Sequence, residues 1–230
     1  LTQGSVSKTL TKMTAFTTFG MVSILGFALA DAYYVGILGK EYLASISYCV
    51  PALLFTTGIG VGIGIGSEAI LARFVGENES TDARVFATIA MVFAGVVALG
   101  FALLGYAFLD TIPVWLEAAP ELYPLMNRYL YIWFLGIVPL VLSLVGGSLA
   151  RALGDAQTPA VVMVSTSLLN AALDPILIFG IEGWVPAYGF EGAAWATLIA
   201  RGIAGLWALY LFVFKYHLLA DRIPSLSRIL

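Results

Sequence analysis

The chain has 230 residues, of which 60% are hydrophobic and only 11% are charged, and its formal net charge at pH 7 is −3. Soluble domains carry about 25% charged residues, so this chain has too few to cover a water-facing surface. The small negative charge argues against nucleic-acid binding, because no basic patch is available to neutralise phosphates. The single cysteine and single histidine exclude an intrachain disulfide and the Cys- or His-rich metal motifs.

Six apolar stretches are long enough to cross a bilayer, which requires about 20 mostly apolar residues. They occupy residues 13–38, 46–72, 85–109, 122–150, 160–179 and 192–216. The segments between them are short and rich in glycine and polar residues, so consecutive helices are expected to be antiparallel neighbours. The pattern predicts an all-α, polytopic membrane protein whose residues 1–230 form one domain, a six-transmembrane-helix bundle.

Lysine and arginine are distributed unequally between the two sides of this bundle. The side that holds both termini carries Lys8, Lys12, Arg73, Arg84, Arg151, Lys215, Arg222 and Arg228. The opposite side carries only Lys40 and Arg128, and Arg201 lies within the sixth span. Because cytoplasmic loops are enriched in Lys and Arg, both termini are predicted to lie in the cytoplasm.

Local patterns also predict how individual spans pack and end. In the second span, Gly58, Gly62 and Gly66 recur every four residues and predict a face that another helix approaches closely. The second and fourth spans each end in a cation followed by a glycine, as Arg73 with Gly76 and Arg151 with Gly154. This pairing predicts that each glycine closes its helix in the left-handed conformation. Trp115, Trp133 and Trp184 lie near span ends, as interfacial anchors do.

Four ionisable residues lie well inside the predicted spans, namely Asp31, Glu68, Asp174 and Arg201. A charge at the centre of a bilayer costs about 2.5–3.5 kcal/mol on insertion scales, so such residues usually face a cavity and serve a function. Glu68 is only five residues before Arg73, and we expect it to snorkel towards the nearby membrane surface or to cap the helix. Arg201 is expected either to pair with an aspartate or to occupy a niche between packed helices.

Three spans deliver polar side chains to one layer near their outer ends. Asp31 lies seven residues before the end of the first span, which is about 10 Å along a helix. Asp174 lies at a similar depth in the fifth span, with Asn170 one turn deeper, and Thr197 occupies the same layer of the sixth span. Pro175 also frees a backbone carbonyl near Ala171.

These groups form an all-oxygen cluster that suits a monovalent cation such as Na⁺ or protons shared between the carboxylates. The alternative is that both aspartates only hydrogen-bond to neighbouring helices and orient them, which is a costly use of two carboxylates.

Longer strings of residues carry a resemblance to a known family. They are Asp31-Ala-Tyr-Tyr-Val-Gly-Ile-Leu-Gly39, Arg73-Phe-Val-Gly76, Arg151-Ala-Leu-Gly-Asp-Ala-Gln-Thr-Pro159, Asn170-Ala-Ala-Leu-Asp-Pro-Ile-Leu-Ile-Phe-Gly180 and Gly192-Ala-Ala-Trp-Ala-Thr197. Together they resemble the N-terminal lobe of a multidrug and toxic compound extrusion (MATE) transporter, in the branch of the DNA-damage-inducible F proteins. The resemblance covers essentially the whole chain, in order.

The resemblance implies a cell-membrane antiporter that exports small organic, often cationic, compounds as H⁺ or Na⁺ moves inward. It implies no enzymatic activity and no cofactor beyond that coupling ion. In this branch the cation site of the N-terminal lobe is formed by residues that match Asp31, Asn170, Asp174 and Thr197. The expected partners are the organic substrates, membrane lipids and either a C-terminal lobe or a second six-helix protomer, because the family has about twelve spans.

The chain departs from the family pattern at two positions. Phe16 stands where many members have a proline early in the first span, so a bend centred on that proline is not expected here. Gly147 stands where an asparagine often precedes the arginine of the fourth span by four residues, which removes one expected polar group.

Three other functions fit parts of the sequence. A lipid-linked oligosaccharide flippase of the same superfamily needs several cations inside its spans, and this chain has Arg201 alone. An intramembrane aspartyl protease also uses two aspartates, but its Tyr-Asp and Gly-x-Gly-Asp motifs are absent, since Ala30 precedes Asp31 and Leu173 precedes Asp174. A half-length protein that acts as a membrane scaffold without transport is the third alternative.

Overall fold

The computed structural model describes residues 6–77 and 79–220, and within these residues the chain is helical, with one isolated β-bridge between Ile181 and Val185. The helices are α1 (Val6–Leu38), α2 (Lys40–Gly76), α3 (Ser80–Ala107), α4 (Ile112–Trp115), α5 (Tyr123–Leu135), α6 (Ile137–Ala152), α7 (Gln157–Phe179) and α8 (Phe190–Tyr210). A 3-10 turn at Pro120–Leu122 precedes α5, and a π-helical turn at Leu211–Lys215 extends α8. Of the basic residues counted above, Arg222 and Arg228 and the side chains of Lys8 and Lys12 lie outside the described residues.

Five of the helices are individually long and apolar enough to cross a membrane, and α5 and α6 taken as one bent span give a sixth crossing by the same criterion. This count confirms the predicted all-α polytopic fold. The sixth crossing is bent by 47° at Gly136, whereas the sequence predicted one continuous span from 122 to 150. Pro139 explains the break, because proline lacks the N–H that would bond to the carbonyl of Leu135.

Helix α6 lies at the centre of the bundle and packs against α2, α3 and α8. Helix α1 lies at the edge and packs mainly against α7, with few contacts to α2. Its apolar side chains are therefore largely exposed, including Leu25 at 65% and Leu29 at 74%. The lobe thus has a packed interior built on α6, with α1 at its edge and in contact mainly with α7.

The close contact between α2 and α6 uses a different glycine face from the one predicted. A Cβ at Gly60 would lie 2.9 Å from a methyl group of Leu144, and one at Gly64 would lie 2.7 Å from Oγ of Ser148. A Cβ at Gly58, Gly62 or Gly66 would meet nothing within 4 Å. The predicted face was wrong because all five glycines are spaced evenly by two, so the sequence alone did not identify the face turned towards α6.

The two predicted helix ends differ from each other. Gly154 has a φ of 85°, which confirms the left-handed closure after α6. Gly76 instead remains within α2, and the helix is capped by Glu77, whose backbone N–H donates to the carbonyl of Arg73. The prediction for Gly76 was therefore wrong. The Arg73 side chain contacts the Glu77 carboxylate at 2.9 Å across this end of the helix.

A polar network joins the α6–α7 turn to the end of α8. Asp155 accepts hydrogen bonds from the backbone N–H of Thr158 at 2.9 Å, from Nζ of Lys215 at 2.8 Å and from the hydroxyl of Tyr216 at 2.9 Å. Partial burial acts to raise the pKa of Asp155, but the bonds from Lys215, Thr158 and Tyr216 outweigh it and hold the pKa well below its usual range. We call this end of the bundle the α6–α7 end, and the opposite one the α7–α8 end.

The α2–α6 contact predicts different outcomes for two neighbouring glycines. Gly64→Ala should destabilise the lobe by about 1–3 kcal/mol, because the added methyl group overpacks the contact with Ser148. Gly62→Ala, on the open face of the same helix, is the matched control and should not destabilise the lobe, because alanine is better tolerated inside a helix than glycine. Thermal unfolding in detergent, followed by size-exclusion chromatography, measures both. Equal midpoints for the two variants would contradict the assignment of the packing face.

The Asp155 network predicts a stability contribution that depends on pH. Asp155→Asn should lower the unfolding midpoint by roughly 3 °C at pH 7, the effect expected for losing an ion pair with Lys215 worth about 1 kcal/mol. The pKa of Asp155 is lower in the folded protein than in the unfolded chain. Its contribution to the free energy of unfolding is therefore fully present above the usual pKa of an aspartate, and it is lost as the pH falls through the folded-state pKa. The difference between variant and parent should therefore shrink below about pH 4. A difference that grows on acidification would refute this assignment.

Candidate functional site

The four predicted cation-site residues lie on three helices at the α7–α8 end. Helix α1 supplies Asp31, α7 supplies Asn170 and Asp174, and α8 supplies Thr197. Asp174 is completely buried, and Asn170 and Thr197 are 2% and 8% exposed. Nδ2 of Asn170 donates to Oγ1 of Thr197 at 3.4 Å, which joins α7 to α8. The two aspartates interact electrostatically, so α1 and α7 bring their carboxyl groups into one site.

Most oxygen atoms of this site have no hydrogen-bond partner. Oδ1 of Asp31, Oδ1 of Asn170 and both carboxylate oxygens of Asp174 are buried without one among the described residues. Buried polar atoms in proteins are almost always hydrogen-bonded, because leaving one unsatisfied costs about 1–3 kcal/mol. Unsatisfied acceptors that converge from two helices call for a donor or a cation.

Pro175 adds a backbone acceptor to the same region. It lies inside α7 and has no N–H, so the carbonyl of Ala171 lacks its helical partner. The site therefore offers carboxylate, amide, hydroxyl and carbonyl oxygens. Among the residues that the structure describes, no three His, Cys, Asp or Glu side chains are grouped as a metal site. A set with only two carboxylates has the charge and hardness suited to a proton or a monovalent cation.

Arg201 occupies the niche between helices that was one of its two predicted roles. Its guanidinium lies over the ring of Trp133, 3.6 Å from the centroid, in a cation–π contact. Within the described part of the chain, no ion pair within 4.0 Å joins it to a carboxylate, although it lies near enough to Asp31 for an electrostatic interaction. Arg201 thus contributes positive potential to the Asp31 side of the site without direct pairing.

Trp133 is not the interfacial anchor that was predicted. It is only 8% exposed, whereas Trp115 and Trp184 are 64% and 89% exposed, as anchors should be. Its indole Nε1 donates to Oγ1 of Thr56 on α2 at 3.3 Å. Trp133 therefore packs inside the bundle, in contact with Arg201 of α8 and Thr56 of α2.

Tyr129 belongs to the site, although the sequence offered no reason to select it. It is 3% exposed and lies near Asp31, Arg201, Cys49 and Asp174. Its ring stacks on Trp133 at a centroid distance of 6.3 Å. Tyrosine is common in apolar spans, so its presence in a span does not by itself indicate a polar site. The spacing of Tyr129 and Trp133 by four residues, which places two amphipathic rings on one face of α5, is the only pattern that marks it.

Glu68 lies outside this site and does not snorkel or cap its helix as predicted. Its Oε2 forms an ion pair with Arg151 at 3.1 Å, and Nη2 of Arg151 also donates to Oγ of Ser148 at 2.6 Å. The pair joins α2 to α6 near the α6–α7 end. Sequence reasoning missed it because the two residues are far apart in the chain and become neighbours only through the α2–α6 contact.

Comparison with known proteins gives relatives along the whole chain. The chain is 34% identical over 228 residues to a FAD transporter of Shewanella oneidensis, and the match covers 99% of this chain and 50% of that protein. It is 28% identical over 229 residues to the probable multidrug resistance protein YpnP of Bacillus subtilis, with coverage of 99% and 50%. The multidrug export protein MepA of Staphylococcus aureus is 28% identical over 190 residues, which is 81% of this chain and 41% of MepA.

Solved structures show the same relationship. The crystal structure of a MATE point mutant superimposes with a TM-score of 0.89 at 25% identity and covers 99% of this chain and 51% of that one. An outward-facing MATE family transporter of the MOP superfamily matches with a TM-score of 0.88 at 25% identity, over 98% and 50% of the two chains. The chain therefore spans about half the length of the relatives that it matches. The MatE family model matches residues 17–176, and the chain belongs to the MatE family of membrane transporters.

Proposed function

We propose that this lobe is part of a cation-coupled antiporter that exports small organic compounds, with Asp31, Asn170, Asp174 and Thr197 as the site for H⁺ or Na⁺. The observation that carries the proposal is the set of buried oxygens without partners, contributed by α1 and α7. An inward-moving proton or Na⁺ supplies the missing charge compensation. Family membership supports a transporter role, and the coupling ion and substrates are inferred from this site.

Coupling follows from the position of α1. This helix is held mainly by α7, and the facing carboxyls of Asp31 and Asp174 repel each other when both are ionised. Cation binding removes that repulsion and stabilises a closer α1–α7 arrangement. Antiport then requires only that the cation and the substrate stabilise different arrangements of the lobe. A cation entering from outside thereby favours release of substrate on that side.

The chain is proposed to lie in the cytoplasmic membrane with both termini inside the cell. The α6–α7 end carries most of the Lys and Arg, which supports a cytoplasmic position for that end. A C-terminal lobe or a second six-helix protomer would complete the transporter, because the relatives are about twice as long. The many exposed apolar side chains of α1 fit contact with lipid or with that second lobe.

The substrate class is open to organic cations and to flavin nucleotides. YpnP and MepA are named as multidrug proteins, and the Shewanella oneidensis relative is named a FAD transporter. Ethidium and FAD are therefore suitable first substrates for an assay in proteoliposomes with imposed pH or Na⁺ gradients. Uptake or efflux that responds to neither gradient would refute cation coupling. Transport by the 230-residue chain alone would distinguish a working half-transporter from a scaffold.

Neutralising either aspartate should abolish coupled export. Asp31→Asn and Asp174→Asn remove the charge that attracts the cation but preserve side-chain size, so we expect dye efflux to fall about tenfold or more, with unchanged membrane insertion. Cells that express the lobe together with its second lobe provide the assay. Asp82→Asn, in the exposed first turn of α3, is the matched control and should export normally. Parental efflux from either site variant would overturn the site assignment.

The proposed orientation predicts the behaviour of reporter fusions. A fluorescent protein fused after residue 230 should be bright, and alkaline phosphatase at the same position should be inactive, because both signals report a cytoplasmic location. Alkaline phosphatase inserted after Gly183, in the loop between α7 and α8, should be active. The reverse pattern would show that the cation site opens to the cytoplasm.

A further inference from the structure

The chain that follows the π-helical turn Leu211–Lys215 leaves the axis of α8 and lies against α3. We call residues 216–220 the strap. His217 sets the direction of the strap, because its φ of 50° lies in the left-handed region, through which a right-handed helix does not continue. A residue other than glycine keeps this conformation only when the surrounding structure holds it there. The contacts of the strap with α3 supply that hold.

Two side chains of α3, one turn apart, bind the backbone of the strap. Nε of Arg84 donates to the carbonyl of His217 at 2.7 Å. The hydroxyl of Thr88 lies 3.0 Å from the carbonyl of Leu218, and it shares its proton between this oxygen and the carbonyl of Arg84 at 2.9 Å. The same hydroxyl accepts from the backbone N–H of Ala220 at 3.0 Å. Side chains of α3 therefore satisfy backbone groups that lie beyond the end of α8.

The side chain of Leu218 adds an apolar contact to these hydrogen bonds. It is 4% exposed and belongs to the hydrophobic core, whereas Leu219 beside it is 48% exposed. The backbone N–H of Leu218 also donates to the carbonyl of Phe212 at 3.1 Å, which closes the turn between α8 and the strap. The strap is therefore packed into the lobe as well as hydrogen-bonded to it.

The strap joins elements that are otherwise linked mainly through α6. Helices α3 and α8 both pack on α6, and within the described part of the chain neither packs extensively on the other. At its start, the hydroxyl of Tyr216 donates to Asp155 of the α6–α7 turn at 2.9 Å. Helix α8 also carries Thr197 and Arg201, and Arg201 lies fourteen residues before Lys215, about 21 Å along the helix. The strap is thus remote from the candidate cation site but attached to a helix that builds it.

We propose that the strap is an anchor that stays attached to α3 during transport and keeps forces from the following chain off α8. The relatives are about twice as long as this chain. In a transporter whose second lobe follows on the same chain, movement of that lobe pulls on the strap. Arg84, Thr88 and the buried Leu218 pass this pull to α3, and α8 keeps Thr197 and Arg201 in place. This role rests on the proposed two-lobe transporter, whereas the attachment itself does not.

Cysteine labelling measures the attachment. In a Cys49→Ala background, Leu218→Cys reports opening of the strap, and Leu219→Cys is the exposed reference next to it. Maleimide should label position 218 about tenfold or more slowly than position 219. Thr88→Val removes the hydroxyl but keeps the shape, and it should raise the 218-to-219 rate ratio about fivefold. Thr57→Val, whose hydroxyl donates within its own helix, is the matched control and should leave the ratio unchanged.

The backbone of His217 offers a second, independent way to release the strap. His217→Pro should also raise the ratio, because proline fixes φ near −65°, whereas His217→Gly should not, because glycine adopts a positive φ readily. Val145→Cys, which is fully buried in α6, should stay protected in every variant. A ratio that does not respond to Thr88→Val or to His217→Pro would overturn the attachment. Equal gains at 218 and 145 would show general unfolding and would also count against a separate strap.

A disulfide distinguishes an anchor from a latch that must open. The N–H of Ala220 lies 3.0 Å from the hydroxyl of Thr88, so Thr88→Cys combined with Ala220→Cys brings two thiols close together in the Cys49→Ala background. In the two-lobe protein, oxidation should leave substrate transport at least as fast as in the reduced state. Transport that stops on oxidation and returns on reduction would overturn the anchor role. An inactive parent would instead contradict the proposed function, and the labelling ratios would still decide the attachment.

Discussion

Asp174 has two carboxylate oxygens that are fully buried and receive no hydrogen bond from any described group. A lipid bilayer offers no donors to compensate them, and each unsatisfied atom is costly in hydrocarbon. The arrangement therefore has a low free energy only when a proton or a cation is present, or when the helices rearrange. The position of α1 depends on this constraint, because its own carboxyl, Asp31, belongs to the same site and its main contact is with α7.

The two ends of the lobe treat charge in opposite ways. At the α6–α7 end the described charges form pairs and networks, as Glu68 with Arg151 and Asp155 with Lys215. These contacts join α2 to α6 and join the α6–α7 turn to the end of α8, so this end is cross-linked. At the α7–α8 end the exposed pair Arg128–Glu191 joins α5 to α8, but the buried oxygens of Asp31 and Asp174 remain without partners among the described residues. Within the proposed mechanism, cation binding acts on these unpaired oxygens.

The sequence predicted the helices well, and it also predicted that the polar side chains of the candidate site lie near one end of three helices, because both depend on properties read along the chain. Long apolar segments must be helices in lipid, and the depth of Asp31, Asp174 and Thr197 follows from counting residues from helix ends. The bend at Gly136 was missed although Pro139 marks it, because the apolar stretch continues without interruption.

Features that depend on which helices become neighbours were not predicted either. The glycines of α2 occur at every second position, so two different faces of the helix show the same four-residue glycine spacing. Only the position of α6 in the structure shows which face is packed. Hydrophobic periodicity identifies the packed face of a helix only when the other faces are polar. A membrane helix is apolar on nearly every face, so the contacts between helices could not be predicted from the sequence.

Arg201 makes the two carboxyls of the site inequivalent. It interacts electrostatically with Asp31, and its guanidinium is fixed on the ring of Trp133, which is itself bonded to Thr56 of α2. Asp31 thus has a permanent cation near it, whereas Asp174 has none among the described residues and also has more unsatisfied oxygens. Within the proposed mechanism, an incoming cation gains more free energy by approaching Asp174. Its arrival also weakens the repulsion on Asp31, so one binding event at α7 changes the electrostatic balance of α1.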